Sequence, residues 1–133
     1  MSGASVGGFR AAVEARDVEA MRACLSDEVV FRSPVAHKPY PGKPITAAIL
    51  ANVIEVFEDF RYVRELGDPD GHALVFEATV GGLDITGCDF LVLDDAGLIT
   101  DFMVMVRPLK AANALAEAMG ARFERIVEQA SLG

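Results

Sequence analysis

The sequence is poor in the residues that usually mark metal sites and disulfide frameworks. Its 133 residues include two cysteines, two histidines and no tryptophan. His37 and His72 have no companions at metal-ligand spacing, so no metal is predicted. Cys24 and Cys88 lie in apolar stretches of the chain, which predicts reduced, buried thiols.

Positive charge is also scarce, since 12 Lys and Arg residues face 20 Asp and Glu residues and leave a formal net charge of −8. This balance argues against nucleic acid as a partner, because its phosphates would be repelled. No apolar run reaches the roughly 18 residues that a membrane span needs. The segment Met1–Gly8 lacks the basic and apolar regions of a signal peptide. We therefore expect a cytoplasmic protein without membrane contact.

Composition and length together predict one ordinary domain. The chain is 52% hydrophobic and long enough to bury a core without disulfides or metals. No internal repeat, low-complexity tract or interdomain linker divides it. The expected domain spans residues 1–133, and we expect no cofactor.

Helical spacing of apolar residues dominates the first half of the chain and its end. The pattern predicts helices over residues 6–16, 18–26, 44–58 and 110–128. Asp17 is the expected N-cap of the second helix. Pro44 suits the first turn of the third helix.

Strand-like alternation fills most of the remainder. It predicts strands over residues 29–31, 61–66, 73–80, 83–93 and 98–106. Helices followed by an antiparallel meander indicate an α+β domain. A sheet of such long strands must curl, and helices packed in its concavity would leave a cone with a pocket.

The last strand is apolar on both faces. Phe102, Val104 and Val106 alternate with Met103 and Met105. We expect the first set to line the pocket. The face carrying Met103 and Met105 is predicted to be covered by a second subunit in a homodimer.

Asp89 lies inside the apolar run 83–93, with Cys88 before it and Phe90 and Leu91 after it. A buried carboxylate is costly unless it is paired, hydrogen-bonded or protonated. Two interpretations stay open. Either Asp89 has a structural partner, or it is the polar point of an apolar pocket with a raised pKa.

Several motifs carry a family resemblance over roughly residues 6–106: Phe9, Arg16-Asp17-Val18-Glu19-Ala20, residues 27–34, Gly42-Lys43-Pro44-Ile45, and residues 89–99 with Gly97. In these the chain resembles the NTF2-like superfamily, which includes SnoaL-like polyketide cyclases and ketosteroid isomerases. The resemblance implies a cystatin-like cone, in which a curved antiparallel sheet wraps around N-terminal helices. It also implies an extra C-terminal helix, as in the longer SnoaL-like members.

The resemblance also indicates which activities of this fold are compatible with the residues of this chain. Ketosteroid isomerases use a tyrosine on helix one, an aspartate base before the first-strand proline, and a protonated aspartate on a late strand. Those positions fall on Phe9, Ser33 and Asp89. Phe9 cannot donate a hydrogen bond and Ser33 is a poor base, so steroid isomerase activity is disfavoured.

The Asp-Arg-Asp set of epoxide hydrolases on this fold is matched at one point only. Asp89 matches one aspartate, while the arginine and second aspartate positions fall on Gly87 and Val104. SnoaL-like cyclases rely mainly on one late-strand aspartate as acid and base in an intramolecular aldol closure. Asp89 fits that role.

The resemblance thus implies cyclase or isomerase chemistry on an apolar carbonyl compound, with Asp89 as the catalytic residue. The alternative is a non-catalytic protein that binds a small apolar molecule, so whether the chain is an enzyme is left open. His37 is either a second acid or base at the pocket mouth or an exposed residue. The predicted substrate-binding residues are Phe9, Val13, Ser33, His37, Tyr40, Phe57, Phe60, Phe76, Leu91, Phe102, Val104 and Val106.

Overall fold

The computed structural model describes the backbone of residues 6–132 and the side chains of residues 8–132. Residues 1–5, part of the segment without signal-peptide features, lie outside the described residues. The helices within this range are α1 (Val6–Glu14), α2 (Val18–Ala23), α3 (Lys43–Val56), α4 (Leu109–Gly120) and α5 (Phe123–Leu132). The strands are β1 (Leu25–Arg32), β2 (Tyr40–Pro41), β3 (Glu58–Asp68), β4 (Gly71–Val80), β5 (Leu83–Leu93) and β6 (Ile99–Arg107).

The predicted N-terminal helices are present, but the second is shorter than its pattern indicated. The Asp17 side chain accepts a hydrogen bond from the backbone N–H of Ala20 at 3.1 Å and caps α2 as predicted. Strand β1 begins at Leu25, inside the predicted helix. Its pairing shifts register between Leu25 and Val30, and this bulge hides the two-residue alternation that would have marked a strand.

The predicted C-terminal helix is two helices. Helix α4 ends at Gly120, a weak helix former, and α5 begins at Phe123. At the junction, the Arg122 guanidinium donates to the side chain of Asn52 at 3.2 Å and to Glu55 at 2.6 Å, both on α3. These contacts fix the start of α5 against α3, so the chain turns where a continuous helix would project away.

The strands form one curved sheet in the order β2-β1-β6-β5-β4-β3. Long antiparallel pairs join β3 through β6, as the alternation predicted. The sheet departs from the antiparallel expectation at one pair, because β1 runs parallel to β6. A parallel pair needs a long crossover connection, and here the chain from β2 to β5 supplies it.

The core lies between the helices and one face of this sheet, which we call the inner face. Strand residues on it include Phe31, Phe76 and Phe102, all at most 4% exposed. Phe9 of α1 meets Phe102 edge-to-face, with ring centroids 5.3 Å apart. The opposite, outer face leaves large apolar side chains uncovered, among them Met105, which is 54% exposed. No helix in the described part of the chain is long and apolar enough to cross a membrane.

Candidate active site

The site centres on a hydrogen bond between Tyr62 on β3 and Asp89 on β5. The phenol of Tyr62 donates to Asp89 Oδ2 at 2.8 Å. Strand β4 separates the two residues: Tyr62 is paired with Phe76 and Asp89 with Leu74, two residues apart on the same face. The long tyrosine side chain therefore reaches across β4 to the carboxyl group.

Irregular pairing in β3 accompanies the inward orientation of Tyr62. Tyr62 pairs with Phe76 and Arg64 pairs with the adjacent Val75, so Val63 is an extra, bulged residue. The Tyr62 ring packs edge-to-face on Phe60 at 5.0 Å. Tyr62 is 7% exposed, although most of its strand faces solvent.

The environment on the inner face brings the pKa of Asp89 close to neutral pH. Burial raises the pKa of Asp89 from 3.8 to about 7, and the hydrogen bond from Tyr62 opposes part of that rise. Burial and the nearby Asp89 carboxylate raise the pKa of Tyr62 well above 10.0, so the phenol stays protonated and keeps donating. Asp89 can therefore hold or release a proton near neutral pH.

One carboxyl oxygen of Asp89 makes no hydrogen bond to the described residues. Among the described residues, Asp89 has one side-chain hydrogen bond, the one that Oδ2 accepts from Tyr62. No fully buried side-chain nitrogen or oxygen in that part of the chain lacks a partner. Oδ1 has no partner, so it is not fully buried, and we infer that it faces the cavity that Asp89 lines.

The cavity has a volume of about 250 Å³ and lies between the inner face and the helices. Asp89 is the one charged side chain among its described lining residues, and the other polar lining residues are Ser33, Tyr40 and Tyr62. Aliphatic and aromatic side chains make up almost all the rest. This is an apolar chamber with a single titratable carboxyl, the kind of site that suits a small apolar ligand with one polar group.

Residues 6–102 match the model of the SnoaL-like domain family. The chain belongs to that family. A steroid delta-isomerase from Pseudomonas aeruginosa is 39% identical, with a TM-score of 0.88 over 96% of each chain. A protein with a cystatin-like fold from Silicibacter pomeroyi DSS-3 is 36% identical, with a TM-score of 0.87 over 93% of this chain and 90% of that one.

More distant similarity concerns the fold alone. An NTF2-like protein of unknown function from Mesorhizobium loti is 15% identical, with a TM-score of 0.67 over 75% of this chain and 85% of that one. No curated protein matches the chain. The NTF2-like α+β fold expected from the sequence is thus confirmed.

Most of the predicted substrate-binding residues of this SnoaL-like chain line the cavity. Their role in binding stays a prediction, but their position beside Asp89 is compatible with it. The lining includes Phe9, Val13, Ser33, Tyr40, Phe57, Phe60, Phe76, Phe102 and Val104.

Three predicted substrate-binding residues are not part of that lining. His37 is exposed in the segment between β1 and β2. Leu91, 1% exposed, lies in the core cluster, and Val106 is half-buried against the same cluster. Alternation puts Leu91 and Val106 on the inner face, but neither is among the described residues that line the chamber.

At the positions where the resemblance places catalytic polar groups of isomerases and epoxide hydrolases, this chain has residues that make structural contacts instead. Phe9 packs against Phe102, as described above. Ser33 Oγ accepts the backbone N–H of Val35 at 3.1 Å, which makes it a turn hydroxyl. A Cβ placed on Gly87 would collide with the ring of Phe76, so no longer side chain fits there without repacking.

Sequence reasoning missed Tyr62, because residues 61–66 look like a polar edge strand. A signal was present, since Phe60 and Tyr62 stand two residues apart and share a strand face. A buried tyrosine hydroxyl needs a partner, and Asp89 needed one too. The contribution of α4 and α5 was also missed; the lining residues from them are Leu115, Ala116, Met119, Gly120, Phe123 and Ile126.

Within the described residues no three His, Cys, Asp or Glu side chains are grouped to hold a metal ion.

Proposed function

We propose that this SnoaL-like protein is a cofactor-independent enzyme of the cyclase or isomerase type, in which Asp89 moves a proton next to a carbonyl group of an apolar substrate. One observation carries the proposal. Asp89 is 6% exposed and lines an apolar cavity. In that position its pKa is about 7. A general acid or base works best when its pKa lies near the operating pH.

The chemistry needs only the two oxygens of Asp89 and the phenol of Tyr62. Tyr62 fixes Oδ2, and Oδ1 faces the substrate. Ionised Asp89 takes a proton from the carbon next to the carbonyl, which leaves an enolate. In an isomerase the proton returns to a different carbon. In a cyclase the enolate carbon bonds to a second carbonyl carbon of the same molecule, and Asp89 returns its proton to the new alkoxide.

The lining favours a neutral substrate. No Lys, Arg or His side chain belongs to the described lining, so a carboxylate or phosphate would be buried without a partner beside Asp89. Phe57, Phe60 and Phe76 form one aromatic wall, in which Phe60 and Phe76 stack at 4.9 Å. A flat, mostly apolar ketone fits this wall while the carbon next to its carbonyl group faces Asp89.

Steroid isomerisation is a poorer fit than other enolisations. The Pseudomonas relative is described as a steroid delta-isomerase, and this likeness supports isomerase-type chemistry in general. Phe9 and Ser33, however, stand where the resemblance puts the tyrosine and the base of ketosteroid isomerases. The proposed substrate is therefore a smaller apolar carbonyl compound that one carboxyl group can process.

The test compares two Asp→Asn variants of the same strand. Neutral aromatic and polycyclic ketones, a β,γ-unsaturated ketosteroid, and matching carboxylates would be incubated with the protein and followed by mass and NMR analysis. Asp89→Asn should reduce turnover of any substrate found by about 100-fold or more, because it removes the acid/base group. Asp84→Asn, at an exposed position of β5, should leave turnover unchanged. Wild-type turnover by Asp89→Asn would refute the role of Asp89.

A second candidate function is a carrier that binds the same class of molecule without changing it. Phe9 replaces the tyrosine and Ser33 replaces the base of ketosteroid isomerases, which favours a carrier, since a binding site needs no second base. Ketones that bind saturably to the wild-type protein and are all recovered unchanged would support this alternative.

We further propose that the protein is a homodimer joined through its outer face. A row of cross-strand neighbours supports this, running Leu66, Ala73, Phe90 and Met103 over β3 to β6. Phe90 is 38% exposed, and Met105 lies close by on β6. Cytoplasmic location remains a prediction from the sequence.

A further inference from the structure

Three residues of the cavity lining are more exposed to solvent than the others. Of its lining residues, only Val35, Gly120 and Phe123 are exposed in the described part of the chain. Val35 belongs to the segment between β1 and β2, whereas Gly120 and Phe123 flank the α4–α5 junction. Asp89 itself is buried, and these three residues mark the most exposed part of the lining.

Both rims of this opening are held by hydrogen bonds. On one side, Ser33 Oγ accepts the N–H of Val35. On the other side, Arg122, the neighbour of Phe123, donates to Asn52 and Glu55 of α3. Asn52 also donates to Gln129 Oε1 at 2.7 Å, which ties a later turn of α5 to the same helix. The backbone of the opening is thereby preformed, and side-chain rotation is the simplest way to widen it.

We infer that Phe123 is the gate of the cavity and, with Val35 and Gly120, determines which molecules reach Asp89. The inference deepens the proposed function, on which it rests for the role of Asp89, by naming the path of the substrate. Phe123 is 45% exposed despite its large apolar ring, and it lines the chamber at the same time. An aromatic side chain in that position admits thin, neutral, apolar molecules and blocks bulky or strongly hydrated ones.

Gly120 offers a way to narrow the same opening without disturbing the fold. A Cβ added at Gly120 would have no heavy atom within 4 Å. Gly120 is also the last residue of α4, where leucine is a better helix former than glycine. Gly120→Leu should therefore fill open space at the mouth, while Phe123→Ala should empty it.

The experiment measures how fast N-phenyl-1-naphthylamine, a neutral dye that fluoresces in apolar surroundings, enters and leaves the protein. A gate limits passage in both directions, so Gly120→Leu should lower the association and dissociation rates together, each by about tenfold. Phe123→Ala should raise both rates. Val127→Ala, an equally exposed apolar position of α5 that does not line the cavity, is the control and should change neither.

Other outcomes would overturn the gate. These are rates unchanged in both Gly120→Leu and Phe123→Ala, a change in the dissociation rate alone, or no saturable dye binding to the wild-type protein. The dye has no carbonyl group and undergoes no turnover, so these rates are independent of the proposed chemistry. Normal turnover by Asp89→Asn would refute the proposed function without affecting the inference about Phe123. Dye rates unaltered by Gly120→Leu and Phe123→Ala would refute that inference without affecting the proposed function.

Discussion

Tyr62 and Asp89 share a hydrogen bond of 2.8 Å although the whole width of strand β4 lies between them. Burial and the neighbouring Asp89 raise the pKa of Tyr62, so the phenol stays protonated, and the bond holds one carboxyl oxygen in place. It also opposes the effect of burial on Asp89. Two measurable consequences follow from this pair, one for stability and one for titration.

Asp89 should make the protein less stable as the pH rises from about 4 to about 7. In this range the unfolded chain has released the Asp89 proton while the folded protein still holds it, because the folded pKa is about 7 and the ordinary value is 3.8. The contribution of Asp89 to the free energy of unfolding therefore falls by about 1.4 kcal/mol per pH unit across that window and levels off above it.

Asp89→Asn removes this titration, so the wild-type protein should lose stability relative to the variant as the pH rises from about 4 to about 7. The measurement is urea unfolding of both proteins between pH 4 and 8. Asp84→Asn, at an exposed position of the same strand, controls for a simple change of net charge. Parallel wild-type and Asp89→Asn curves would contradict the buried, proton-holding carboxyl.

Tyr62→Phe should raise the pKa of Asp89 above about 7. The phenol donates to the carboxyl oxygen and favours its ionised form, so its loss leaves burial unopposed. Carboxyl ¹³C chemical shifts of labelled Asp89, followed through a pH titration, report the pKa directly. Tyr40→Phe makes the same chemical change at another cavity-lining tyrosine and should leave the titration in place. An unchanged or lowered pKa in Tyr62→Phe would contradict the hydrogen bond.

Asn52→Ala should destabilise the protein by about 3 kcal/mol, because it removes a buried amide that joins α3 to α5. Asn52 is 2% exposed, donates to Ala48 O and Gln129, and accepts from Arg122. Glu55→Ala breaks only the exposed ion pairs on the same helix and should cost about 1 kcal/mol or less. If urea unfolding showed equal losses of unfolding free energy for the two variants, the buried amide of Asn52 would not be the principal link between α3 and α5.

Met105→Glu should convert the proposed dimer into a monomer, since two carboxylates would be brought into one apolar interface. Sedimentation velocity at micromolar concentration measures the change. Val127→Glu, which alters an exposed apolar residue of α5 away from the outer face, should leave the association intact. A wild-type protein that sediments as a monomer would remove the dimer proposal altogether.

Local patterns predicted much of the fold because the information they need lies within a few residues. Asp17 caps the helix that follows it, and the alternation in β4 to β6 reports which side chains face the core. The prediction was wrong where the local pattern does not follow the boundaries of the helices and strands. The bulge after Leu25 concealed most of β1, and α4 and α5 were read as one helix because both continue the same apolar spacing.

The sequence by itself determined that a carboxyl group at Asp89 would be buried among apolar residues, and that the chain would fold as a helix-covered sheet. Periodicity and residue type suffice for both. Only the tertiary structure decided that Asp89 is paired with Tyr62, since that contact spans 27 positions of sequence and crosses an intervening strand. It also decided where the cavity opens, because Val35 and Phe123 meet the same chamber through the packing of distant segments.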